Sequence, residues 1–187
     1  MSTNGRNQVY KLTIGGLLLA VGIIISRVFH VFGDPSIGKM FQPMHISVFI
    51  AGLYLGIYYG SLIGFLTPLI SSLFGMPMFP FNIIMALELG AYGLFAGLFV
   101  CIFRRFSKTR AAKLIIVYIS LILSMIMGRI IYALALFVMA KFFGMDLPAP
   151  ESIIASTIVG LPGIIIQLAL VPVLVFALYK AGERYNN

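Results

Sequence analysis

The sequence predicts an all-α integral membrane protein, one domain over residues 1–187 with six transmembrane helices and both termini cytoplasmic. Three observations carry this. Hydrophobic residues make up 61% of the chain and charged residues only 10%, with a mean hydropathy of +1.08. The apolar residues fall in runs long enough to cross a bilayer, separated by short polar or Gly/Pro-rich strings. Two charges, Glu88 and Arg129, stand inside such runs. An ionised side chain near the centre of a membrane helix costs about 2.5–3.5 kcal/mol on insertion scales, so it faces protein or a water-filled cavity rather than lipid.

A helix rises about 1.5 Å per residue, so roughly 20 apolar residues cross a hydrocarbon core of about 30 Å. The first span is expected from Tyr10 to Phe29. It follows Arg6 and Lys11 as a signal peptide would, but it has no A-x-A cleavage pattern and leads into further spans, so it reads as an uncleaved helix. The second is expected from Pro43 to Tyr58 and the third from Gly60 to Phe74. Both are short, and the turn Tyr58-Tyr59-Gly60 between them is tight, so a re-entrant pair is the alternative there. The fourth runs from Phe81 to Phe103, bounded by the breaker string Gly75-Met76-Pro77-Met78-Phe79-Pro80. The fifth covers Ala112 to Phe143 and the sixth Ile158 to Tyr179.

Basic residues set the orientation. Arg6 and Lys11 precede the first span, Arg104, Arg105, Lys108, Arg110 and Lys113 fill the loop after the fourth, and Lys180 and Arg184 follow the sixth. The other side carries Lys39 and Lys141, with Arg27 near it, beside Asp34, Asp146 and Glu151. Positively charged loops stay in the cytoplasm, which places both termini there. The net charge of +8 therefore belongs to helix orientation and anionic lipid rather than to nucleic acid. With Cys101 as the one cysteine and two histidines, an intramolecular disulfide is excluded and a metal site is not expected. No GxxxxGK[ST], HExxH or GxSxG motif is present, and no nucleophile and base stand at a catalytic spacing, so neither ATP binding of the P-loop kind nor enzymatic activity is expected. No cofactor is implied.

The intramembrane polar residues share a depth. Measured along ideal helices, Glu88 lies about 10 Å below Phe81, Gln167 about 14 Å below Ile158 and Arg129 about 16 Å below Ala140. An acidic, a basic and an amide group on three helices thus stand at one level in the outer half of the membrane, as a cavity open to the outside requires. Residues three, four and seven apart share a helix face, which puts Phe81, Met85 and Tyr92 beside Glu88, and Met125 and Tyr132 beside Arg129. Aromatic and methionine walls with a few polar groups describe a small-molecule pocket. The plainer alternative is an ion pair that only holds two helices together. A Glu88 that merely neutralises Arg129 favours an uncharged ligand, whereas a free donor edge on Arg129 favours a carboxylate. Gln42 and His45, at the end of the outer loop His30–Pro43, are expected over the ligand, while Asn82 serves either as a helix cap or as a site residue. Gly16 and Ala20, with Gly15 and Gly22 nearby, form a small-xxx-small stripe on the first span, suited to packing within the bundle or to a partner helix.

The strings Met44-His45-Ile46-Ser47-Val48-Phe49-Ile50-Ala51-Gly52, Gly64-Phe65-Leu66-Thr67-Pro68-Leu69-Ile70-Ser71-Ser72-Leu73-Phe74-Gly75-Met76-Pro77, Met85-Ala86-Leu87-Glu88-Leu89-Gly90-Ala91-Tyr92-Gly93 and Gly128-Arg129 resemble the substrate-binding S component of energy-coupling factor (ECF) vitamin transporters, most of all the pantothenate-type members. The resemblance implies a multi-pass subunit of a bacterial cell membrane that captures a water-soluble vitamin on its outer side. It also implies a transmembrane coupling subunit and two cytoplasmic ATPases as partners, and a rotation of the whole S component in the membrane as the transport step. An alanine pair four apart docks such proteins on the coupling subunit; Gly16 and Ala20 stand at that spacing. Within the resemblance, Arg129 would hold the carboxylate of pantothenate and Gln167, Asn82 and His45 its polar remainder. The alternatives are a pyridoxine-like or hydroxymethylpyrimidine cargo stacked between Phe81, Tyr92 and Tyr132, and a structural membrane protein with no ligand.

Overall fold

The computed structural model describes residues 3–32, 35–106, 109–144 and 152–186, and every regular element among them is helical. Asp34, Lys108, Asp146 and Glu151 lie outside the described residues, as do the side chains of Arg6, His30, Lys39, Arg110 and Arg184. The order is α1 (Thr3–Phe32), α2 (Pro35–Phe41), α3 (Pro43–Ile50) continued by a wider π-helical turn (Ala51–Leu55), α4 (Ile57–Ser72), α5 (Phe81–Phe103), a 3₁₀ turn (Arg104–Phe106), α6 (Arg110–Phe143), α7 (Ser152–Val159) and α8 (Leu161–Asn186). Among the described residues four helices are long and apolar enough to cross a membrane, within α1, α5, α6 and α8; Pro43–Leu55 and Ile57–Ser72 are shorter apolar helices.

Named residues explain several of these boundaries. α5 occupies the expected Phe81–Phe103, entered through Pro77 and Pro80. α6 starts where the Thr109 side chain accepts a hydrogen bond from the Ala112 N–H, and stops at Gly144, which adopts a left-handed φ of 61°, a conformation that costs other residues about 1–2 kcal/mol. Two boundaries differ from the sequence expectation. The turn between the second and third segments lies at Gly56 (φ 97°) rather than at Tyr58–Gly60, because only glycine takes that dihedral without strain. The last segment is broken at Gly160 rather than starting smoothly at Ile158: Pro162 lacks an N–H and its ring would strike the carbonyl of Ile158 in a continuous helix.

α4 and α5 form the tightest pair. A side chain on Gly93 would place its Cβ 2.0 Å from the Gly60 carbonyl oxygen, and one on Gly64 would lie 2.2 Å from that of Leu89. In lipid, where apolar surface gains little by leaving one apolar medium for another, close backbone approach of this kind is what holds helices together. The core collects Phe49 of α3, Leu53 of the π-helical turn, Leu89 and Tyr92 of α5, Leu121 of α6 and Val171 of α8. α1 lies at the margin, with Leu12, Leu17, Ile24 and Val28 exposed.

The two ends of the bundle differ. At one, Tyr10 of α1 hydrogen-bonds Tyr54 hydroxyl to hydroxyl at 2.9 Å. Beside them the Tyr179 hydroxyl of α8 donates to the Leu53 carbonyl at 3.0 Å. The basic ends of α1, α5 and α8 thus gather together, with Arg104 within electrostatic reach of Tyr179. At the opposite end Arg27 donates to the Phe74 carbonyl, and Phe29 packs on Phe41, ring centres 5.9 Å apart.

Candidate functional site

Glu88 and Arg129 meet across α5 and α6, Oε1 to Nη1, at 3.1 Å. The Tyr92 hydroxyl, one turn along α5, donates to the same carboxylate oxygen at 2.7 Å. Arg129 Nη2 donates to the side-chain carbonyl of Gln42 at 3.2 Å, and Gln167 Nε2 of α8 donates to the Gln42 backbone carbonyl at 3.4 Å. Five polar residues from α5, α6, α8 and the α2–α3 junction therefore form one hydrogen-bonded cluster.

Gln42 is its joint. Among the described residues it is the one non-glycine residue with φ in the left-handed region, at 46°, a conformation that costs about 1–2 kcal/mol and survives only where surrounding bonds hold it. Its N–H closes α2 on the Gly38 carbonyl and its carbonyl accepts from His45 N–H at the start of α3. Two glycines make room for it: a Cβ on Gly160 would lie 2.8 Å from Gln42 Nε2, and one on Gly163 would lie 2.6 Å from the Phe41 carbonyl oxygen.

A cavity of about 620 Å³ opens beside the cluster between α6 and α8. Ile122, Met125, Ile126, Arg129, Ile130 and Ala133 of α6 form one wall, Ile164, Gln167 and Leu168 of α8 the other, and Gln42, Tyr92 and Thr157 complete it. Arg129 is 17% exposed and Glu88 4%, so the cation reaches the cavity wall while the anion stands behind it. The volume falls within the range of small-molecule sites, and so does the chemistry, mostly apolar with a few convergent polar groups.

Of the residues singled out in the sequence, the structure brings Arg129, Gln167, Tyr92 and Gln42 to the cavity and places Glu88 directly behind Arg129. Tyr132 and Phe81 pack with Ile84, Ala135 and Leu136 rather than on the cavity wall, although Tyr132 stays within electrostatic reach of Glu88, Arg129 and Tyr92. The reason is helical phase. Successive residues turn by about 100°, and the stripe Gly128, Tyr132, Ala135 faces α5 while Ile122, Ile126, Arg129 and Ala133 face the cavity. Asn82 is also elsewhere, its carboxamide donating to Ser72 Oγ at 3.4 Å and accepting from Ile83 N–H at 2.8 Å. His45 is buried against Tyr92, ring centres 5.2 Å apart, and both its ring nitrogens are without a hydrogen-bond partner among the described residues. Ile122 and Ile126 of α6 were not among the expected site residues, although counting back three and seven from Arg129 reaches them. Thr157 had no such signal, because the break at Gly160 separates its helix from that of Gln167.

The small residues of α1 divide between two faces. Gly15 and Gly22 point into the bundle, where a Cβ would lie 3.2 Å from Ile63 and 2.3 Å from Ser47 Oγ. Gly16 points away, with nothing among the described residues within 4 Å of its Cβ position. Ala20, one turn on, is exposed beside it. Among the described residues no three His, Cys, Asp or Glu side chains gather in a metal-binding group.

The family model described as "ECF transporter, substrate-specific component" matches residues 10–181. No curated protein and no solved structure matches the chain.

Proposed function

Since the chain belongs to the ECF transporter substrate-specific component family, a family of transporter binding subunits rather than enzymes, we propose that it captures a water-soluble vitamin in the cavity between α6 and α8. The supporting observation is the Arg129–Gln42–Gln167 cluster on the wall of a cavity of about 620 Å³. The sequence resemblance favours pantothenate as the cargo. Arg129, Gln42, Gln167 and Tyr92 are then the residues in reach of it, Glu88 positions Arg129, and His45 and Asn82 support the helices around them.

A specific observation favours a second cargo, an uncharged ring of the pyridoxine or hydroxymethylpyrimidine kind. Arg129 is already neutralised by Glu88, which lowers the gain from an anionic ligand.

The gathering of basic helix ends opposite the cavity supports a cytoplasmic placement of the termini and a mouth toward the outside. Gly16 and Ala20 form a flat outward strip on which a transmembrane coupling subunit would dock, and two ATPases bound to that subunit would supply the energy.

The test is mass spectrometry of small molecules retained by the purified protein, followed by calorimetric titration with pantothenate and with pyridoxine. Saturable binding of one, weakened at least tenfold by Arg129→Ala, is expected. No retained molecule and no saturable binding of any vitamin would overturn the reading.

A further inference from the structure

We propose that the oxygen a ligand presents to Arg129 is uncharged, a carbonyl, amide or hydroxyl oxygen, and that a carboxylate on the same cargo gains no binding from this wall. This rests on reading the cavity as the capture site and adds the chemistry of its polar end.

The charge on Arg129 is spent before a ligand arrives. Nη1 is paired with Glu88 at 3.1 Å, and Glu88 is anchored by the Tyr92 hydroxyl on the same oxygen. Glu88 and Tyr92 are both buried, so neither has water to retreat into. A ligand carboxylate on the guanidinium would put two anions on one cation where water is largely excluded, an arrangement that low dielectric makes costly.

The partner that Nη2 does have is the neutral amide oxygen of Gln42. That oxygen stands for the species a ligand would bring: exchanging it for another uncharged acceptor preserves the charge balance and leaves Glu88 in place. The rest of the wall agrees, because among the described residues Arg129 is the only charged one lining the cavity and the other polar ones, Gln42, Gln167, Thr157 and Tyr92, are amides and hydroxyls. Gln42 is thus a specificity-determining residue, an internal acceptor that an incoming oxygen must match.

Two measurements on the full chain test this. In the first, pantothenate is compared with pantothenol, identical except for an alcohol in place of the carboxylate. The native protein is expected to bind the two within about threefold, and Glu88→Gln to shift the ratio toward pantothenate by about tenfold. A native preference for pantothenate above about thirtyfold would overturn the proposal.

The second needs no knowledge of the cargo: melting temperature is followed with acetate, acetamide and chloride. Acetate is expected to stabilise Glu88→Gln over chloride and to leave the native protein unchanged; equal stabilisation of both would overturn the proposal. Should Glu88→Gln fail to fold, Gln42→Ala decides, since its vacated Nη2 beside an intact Glu88 is expected to take acetamide and refuse acetate, and the reverse would overturn it. If neither pantothenate nor pantothenol binds while the acetate result holds, the pantothenate reading fails and this one stands.

Discussion

Gly128 makes the slot that holds Tyr92: a Cβ at position 128 would lie 2.1 Å from the tyrosine ring. The residue before Arg129 thereby sets the ring whose hydroxyl fixes Glu88. Gly128→Ala is expected to displace Tyr92 and break its bond to Glu88, with overpacking costing about 1–3 kcal/mol. Ligand affinity should fall at least tenfold. Thermal melting and calorimetric titration of the variant check both; an unchanged affinity would mean that Tyr92 does not organise the site.

Arg129→Ala leaves the Glu88 carboxylate buried without its cation, and removing one partner of a buried pair costs about 3–5 kcal/mol. Adding Glu88→Gln should recover most of that stability without restoring ligand binding. A double-mutant cycle read by thermal melting measures the coupling, and additive losses would show that the pair contributes no stability.

Gly16→Leu and Ala20→Leu are expected to leave folding and vitamin binding intact, because Gly16 faces open space, and to abolish copurification with the coupling subunit. Gly22→Leu is the contrast: its side chain would strike Ser47, 2.3 Å from the Cβ position, and should prevent folding. Retained copurification in the first two variants would exclude this face of α1 as the dock.

His45 buries an imidazole whose two nitrogens have no hydrogen-bond partner among the described residues, and an unsatisfied buried polar group costs about 1–3 kcal/mol. His45→Leu, of similar size, should raise the melting temperature of the ligand-free protein. If the same variant also loses ligand affinity, the imidazole meets the cargo directly, and binding titration distinguishes the two roles.

Helix positions were readable because lipid imposes a simple rule: apolar length and breaker residues decide where a span begins and ends, as Pro80 and Phe103 show for α5. The juxtaposition of Glu88, Arg129 and Gln167 was readable too, because depth along a helix follows from residue count. Gly56 and Gly160 were harder, since a glycine shifts a turn by a few residues without changing the apolar pattern around it.

By itself the sequence determined an all-helical membrane chain whose buried charges on different helices share one depth, because the rise per residue and the cost of a charge in lipid are local properties. Only the tertiary structure decided what each of those residues faces. Rotation about a helix axis is settled by packing: Gly128 against Tyr92 aims Arg129 at the cavity and turns Tyr132 toward α5. The same packing brings Gln42, 87 residues distant in sequence, onto the guanidinium.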